Sequence, residues 1–185
     1  YKTLYSVIKD CNMVIGNMDD TESDLARTLL GTAWSIRSIC YYNLMQRYCE
    51  PYQPETAKET LGLPLVDDFD MEAKPARANL KETAEFIEEG FRKALSYNVS
   101  NEDFIFTSSV TKAYFARFFF WTQNWSSAIT YAKEVLEKYP MLEADEYVEA
   151  INQKQAKAHN VIIRSFTMDD DIGTMSYATA QADIK

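Results

Sequence analysis

Apolar residues recur at helical spacing through most of the chain. Tyr1, Leu4, Tyr5, Ile8, Cys11 and Ile15 stand three or four residues apart, which predicts an amphipathic helix over 1–15, stopped by Gly16-Asn17. Thr21 and Asp24 form the pattern of a capping box for a long second helix over 24–48. Its inward stripe is expected to be Leu25, Leu29, Ala33, Ile36, Cys40, Leu44 and Tyr48, widened by Trp34, Ile39 and Tyr41, and Pro51 and Pro54 prevent its continuation. Asn79 and Glu82 cap a third helix over 80–97 that buries Leu80, Ala84, Ile87, Phe91 and Leu95. A fourth, over 110–122 behind Ser109, carries Tyr114, Phe115, Phe118, Phe119, Phe120 and Trp121, and is expected to be buried on most sides. A fifth over 125–138 ends at Tyr139-Pro140, and a short sixth runs over 144–153.

Two stretches break this rhythm. From Glu50 to Asn79 no period survives, and the segment reads as a long irregular loop with an extended apolar patch at Gly62-Leu63-Pro64-Leu65-Val66. Residues 161–166 are β-branched and short, which predicts one strand near the C-terminal end, and 167–185 reads as an irregular tail. The fold class expected is therefore all-α, as a single domain over 1–185.

Composition narrows the class further. Only five Gly and five Pro punctuate 185 residues, too few for the frequent turns of a β-sandwich, while 46% hydrophobic content supports a core rather than disorder. The 19 Lys and Arg stand against 28 Asp and Glu for a net charge of −9, so no basic footprint for nucleic acid exists. The longest apolar run, 114–121, contains Arg117 and falls far short of the ~18–20 residues that span a membrane. The chain opens inside a helical pattern with no initiating Met or secretory leader, which is read as the edge of a piece of a longer protein.

Candidate chemistry is sparse. Cys11, Cys40 and Cys49 form no metal spacing, and no cofactor or metal is expected. His159, the only histidine, has no nucleophile context, and no phosphate loop, zinc-protease or hydrolase elbow pattern occurs, so no catalytic residue is assigned. Asp169-Asp170-Asp171 lacks the alternating ligand spacing of a calcium loop. Arg37 sits near the apolar stripe of the second helix, where a buried ion pair with Asp10 or Glu22 is expected.

Motif order carries more. Asn124 to Pro140, with Ala128, Tyr131, Leu136 and Pro140 at their offsets, resembles the second half of a tetratricopeptide repeat. Asp10-Cys11-Asn12-Met13-Val14-Ile15 opens a series continued by Gly31-Thr32-Ala33 through Arg37 and Tyr41 to Leu44, then by Gly62-Leu63-Pro64-Leu65-Val66. Arg77 and a helix ending Phe91-Arg92-Lys93-Ala94-Leu95 close it. In this order the segments resemble the SusD/RagB family of glycan-binding outer-membrane lipoproteins of Bacteroidetes. The chain departs from that pattern at Thr32, where Glu is common, at Ser38, where Ala is common, and in a longer connector before Gly62.

The resemblance implies a tetratricopeptide-like helical bundle or superhelix within a lipid-anchored, surface-exposed protein. Such a protein would bind oligosaccharide or polysaccharide without chemistry and deliver it to a SusC-like TonB-dependent transporter, which the helical layer faces. A generic tetratricopeptide scaffold for protein partners is the alternative. No family motif fixes sugar contacts here, so no site residue transfers. Five aromatics fall in segments without helical period: Tyr52, Phe69, Phe104, Phe106 and Tyr177. Of these, Tyr52, Phe69 and Tyr177 are taken as candidate ligand contacts, against the alternative that they pack as loop core.

Overall fold

A computed structural model describes residues 1–19, 23–68, 75–100 and 106–152, together with Ile162. The described chain is mostly helical, in the order α1 (Lys2–Asn17), α2 (Asp24–Tyr48), β1 (Leu61–Pro64), β2 (Arg77–Asn79), α3 (Leu80–Ser96), α4 (Ser108–Trp121), α5 (Trp125–Lys138) and α6 (Ala144–Asn152). The strand expected over 161–166 and the tail over 167–185 lie outside the described residues, Ile162 apart.

α2 is the centre of the fold. It packs against α1 on one side and α3 on another, and it also reaches β1 and α4; α4 in turn pairs with α5. Burial on several sides explains why the expected stripe is out of phase at the ends of α2. Leu25 and Tyr48 are exposed, whereas Ala26, Leu30, Arg37, Ser38, Tyr42 and Met45 are buried beside the expected Ile39 and Tyr41. Its N-cap is Ser23 rather than Thr21: Ser23 is extended, and its Oγ accepts from the Ala26 amide at 3.1 Å.

Close approach on α2 needs small residues. A Cβ on Gly31 would lie 2.6 Å from Val99 Cγ2 and 2.8 Å from Tyr97 Cβ, inside van der Waals contact. The capping box at α3 forms as expected, with the Glu82 amide donating to Asn79 Oδ1 at 2.8 Å and the Asn79 amide to Glu82 Oε2 at 3.1 Å.

Aromatic rings join the helices. Phe91 of α3 stacks on Phe115 of α4 with centroids 5.1 Å apart, Phe115 on Phe119 at 4.2 Å, and Tyr131 of α5 closes on Phe115 at 4.7 Å. α4 is nevertheless not buried all round. Phe120 and Trp121 are 59% and 46% exposed, because α4 meets its neighbours mainly through α3 and α5. Three residues link α4 to α5, so the two helices return on each other as a hairpin. At this link Gln123 adopts φ 62°, its amide bonds Phe120 O and the Asn124 amide bonds Phe119 O, the pattern of a Schellman cap. Among the described residues no helix is long and apolar enough to cross a membrane.

Candidate binding clefts and the node that supports them

The segment over 50–79 contains ordered structure of its own: β1 and β2 pair antiparallel, with Leu61 opposite Asn79 and Pro64 opposite Arg77. Strands of four and three residues carry too little alternation to be read from sequence. Gly62 makes the pairing possible, since a Cβ there would collide with Thr83 Oγ1 and the Asn79 carbonyl. Thr83 Oγ1 accepts from the Leu63 amide at 3.0 Å and donates to Asn79 O at 2.9 Å. Arg77 Nε donates to Gly62 O at 2.7 Å.

Beyond β1 the chain is fastened through Val66. Its amide donates to the Tyr41 hydroxyl at 2.7 Å, and its carbonyl accepts from that hydroxyl at 3.1 Å and from Asn12 Nδ2 at 2.9 Å. Asn12 Oδ1 in turn accepts from Arg37 Nη1 at 2.9 Å. The Arg37 guanidinium carbon lies 4.1 Å from the Trp34 ring centroid and 5.2 Å from that of Phe86. The motif residues Asn12, Arg37, Tyr41 and Val66, scattered over 55 positions of sequence, thus form one node.

The ion pair expected for Arg37 does not form among the described residues. Asp10 pairs with Lys9 at 3.1 Å on the surface, and Glu22 lies outside the described residues. A neutral amide fits better here because it both accepts from Arg37 and donates to Val66, which a carboxylate cannot do. Burial pulls the Arg37 pKa down, against the opposing influence of Tyr41 and Asp67. Burial also pushes the Tyr41 phenol well above its ordinary value and that of Tyr5, which donates to Pro64 O at 2.9 Å, up to about 12.

Two open clefts flank this supported region. The first, of about 560 Å³, is lined by Tyr48, Glu50, Thr56, Glu59, Thr60, Leu61 and Arg77. It mixes an exposed ring with carboxylates, hydroxyls and a guanidinium, a set that both donates and accepts hydrogen bonds. The second, of about 630 Å³, lies where α1 ends, against α2 and the end of α3. Among the described residues no group of three or more His, Cys, Asp or Glu could hold a metal ion.

Tyr52 is half-buried, packs against the core, and gives its carbonyl to Gln123 Nε2 at 2.9 Å. It stands outside both cleft linings. Burial raises its phenol pKa. Phe69, Phe104 and Tyr177 lie outside the described residues, while Phe106 is half-buried against the core.

Exposed aromatics instead occur on helices, where helical periodicity predicts core positions. Phe120 and Trp125 meet edge to face at 5.3 Å, and both are more than half exposed. The signal was present in the sequence. Phe118-Phe119-Phe120-Trp121 steps about 100° per residue around the helix, so four consecutive aromatics cannot all face one core.

Residues 1–120 match the family model SusD-like_3, described as starch-binding and associating with the outer membrane. The chain belongs to the SusD-like family. Among solved structures, this SusD-like chain resembles a SusD superfamily protein from Bacteroides thetaiotaomicron, with a TM-score of 0.71 and 20% identity over 80% of this chain and 35% of that one. It also resembles a SusD-like carbohydrate binding protein from Bacteroides vulgatus, with a TM-score of 0.66 and 21% identity over 78% and 32% of the two chains. A laminarin binding SusD-like protein shares a TM-score of 0.67 and 14% identity over 88% and 36%. At these identities the shared property is the fold. The SusD-like chain spans about a third of the length of these solved relatives. No curated protein matches it.

Proposed function

We propose that the protein binds oligosaccharide at the outer-membrane surface and performs no chemistry on it. In this reading it hands the glycan to a SusC-like TonB-dependent transporter, and a lipid anchor on the whole protein holds it at the surface. The observation that carries the reading is the family match over residues 1–120. The cleft of Tyr48, Glu50, Glu59 and Arg77 supports it, since a ring for an apolar sugar face and flanking charged groups for hydroxyls are the usual means of sugar capture. The transporter-facing surface in this reading is the α4–α5 hairpin, where Phe120, Trp121, Trp125 and Ile129 stand exposed. That same surface favours the second reading, a scaffold for protein partners.

Affinity electrophoresis of the protein through gels containing starch or laminarin tests the first reading. Retardation without release of reducing ends is the expected result. Liberation of reducing sugar, or mobility unchanged in every polysaccharide, would overturn it. Cross-linking in outer membranes is expected to capture a TonB-dependent transporter through the α4–α5 face; capture of a soluble peptide partner instead would favour the scaffold.

A further inference from the structure

The second cleft has a construction that the family match does not account for. Its walls are two half-buried aromatics, Trp34 of α2 and Tyr97 at the end of α3, with Leu30 behind them. Both rings are held from outside the cleft. Trp34 carries the Arg37 guanidinium at 4.1 Å. Tyr97 is seated against Gly31, whose missing side chain leaves room for Tyr97 Cβ. Asn98 then adopts φ 50° and turns the chain back so that Val99 also packs on Gly31. Two residues of the α2 motif, Gly31 and Arg37, therefore fix the two rings, and rings fixed before binding lose little entropy on binding.

The polar groups around these rings are of mixed kind. Lys93 lines the cleft with its ammonium 5.4 Å from the Tyr97 centroid, and Arg27 approaches the same ring at 5.9 Å. Asn17 and Asp19 line the opposite side, with Asn17 Nδ2 fixed on Met13 O at 2.8 Å. α1 and α3 both end here, and helix C-termini present partial negative charge and accepting carbonyls. That charge, with Asp19, offsets Lys93 and Arg27 and disfavours an anion. A neutral polyhydroxyl ligand, by contrast, finds acceptors, donors and half-buried aromatic rings together. The cleft lies within the range of about 300–1,000 Å³ that holds ligands of drug size, such as a di- or trisaccharide.

We propose that this cleft is a second saccharide subsite, in which a neutral di- or trisaccharide packs against Tyr97 and Trp34 and bonds to Lys93, Asn17 and Asp19. The proposal rests on the glycan-binding reading and adds a location and a ligand class to it.

Saturation-transfer NMR with millimolar maltotriose and laminaritriose tests it on the full chain. Gly16 lines the cleft, and nothing lies within 4 Å of a Cβ built on it, so Gly16→Leu adds bulk at the cleft wall without crowding the core. Gly16→Leu is expected to abolish transfer from this site, and Tyr97→Ala to weaken binding about tenfold. Tyr97→Phe, which keeps the ring, is expected to stay within about twofold of the parent. Arg77→Met reports separately on the first cleft. If Gly16→Leu and Lys93→Met bind as the parent does while Arg77→Met does not, the second subsite is wrong and the glycan reading stands. If the parent binds neither trisaccharide, the glycan reading fails and the subsite fails with it.

Discussion

Arg37 donates to Asn12 across the α1–α2 interface at 2.9 Å, and neither residue is more than 3% exposed. Asn12 is the only bridge between this buried cation and the Val66 carbonyl among the described residues. Asn12→Leu keeps the volume and removes both bonds, leaving a buried charge without its acceptor. It is expected to lower unfolding free energy by about 3 kcal/mol in urea titration. Asn12→Asp, which can still accept from Arg37, is expected to cost less. Equal stability of Asn12→Leu and the parent would show that the node holds nothing.

Gly62→Ala places a methyl group against Thr83 Oγ1 and the Asn79 carbonyl, neither of which belongs to a flexible side-chain end. β1 must move bodily away from β2 and Thr83 to clear these contacts, at about 3 kcal/mol, the upper end for an added methyl. Hydrogen exchange locates the damage: the Leu63 amide, bonded to Thr83 Oγ1 in the parent, should lose protection before the α2 amides do.

Gln123 holds a left-handed conformation that glycine adopts more easily, yet its side chain reaches Tyr52 O at 2.9 Å and Gln53 Oε1 at 3.1 Å. Gln123→Gly trades backbone strain for those two bonds. Net stability is expected to shift by less than about 1 kcal/mol. The local effect should be larger, with amide exchange over 52–57 accelerated. Unchanged exchange there would mean the segment is held from elsewhere.

Thiol titration gives a prediction in the alkaline range. Burial pushes Cys11 up to about 12 and Cys40 up to about 11, from an ordinary value of 9.0. The native state therefore keeps protons that the unfolded chain releases, and stability falls as pH rises from about 9 toward 11–12. Each thiol contributes up to about 1.4 kcal/mol per pH unit within its window. Tyr5 and Tyr42, both raised to about 12 by burial, add to the fall only above pH 10, the ordinary phenol value. Between pH 9 and 10 the loss is expected to shrink in Cys11→Ala; an identical slope in the variant would reject the assignment. At pH 8 a thiol reagent should reach half-buried Cys49 first and the other two only after unfolding.

Helix extents were largely legible in the sequence because stop signals bracket them: Pro51 and Pro54 beyond α2, Asn79 with Glu82 before α3, Pro140 after α5. The facing of α2 was not, because a helix packed on several sides has no single stripe to read. Arg37 reads as buried from the sequence, with an acid as its expected partner. Nothing local distinguishes Asn12, 25 residues away, as the group that must both accept and donate. The clefts are assembled from separate elements: Arg77 joins Tyr48 and Glu59 in one lining only once β1 and β2 pair, and Tyr97 joins Trp34 only once α3 packs on α2. Loop aromatics read as candidate ligand contacts because loops are usually exposed. Tyr52 shows the opposite arrangement, tied down by its carbonyl, while Phe120 and Trp125 sit on helices and face outward.

The grip of Tyr41 on Val66 has a consequence for how this region tolerates change. One hydroxyl takes both the amide and the carbonyl of the same residue, and Asn12 adds a second bond to that carbonyl. All three contacts are to main-chain atoms, which every residue except proline supplies alike. The side chain at 66 can therefore change through mutation while the path of the chain there stays put, held by contacts that do not depend on which residue occupies the position.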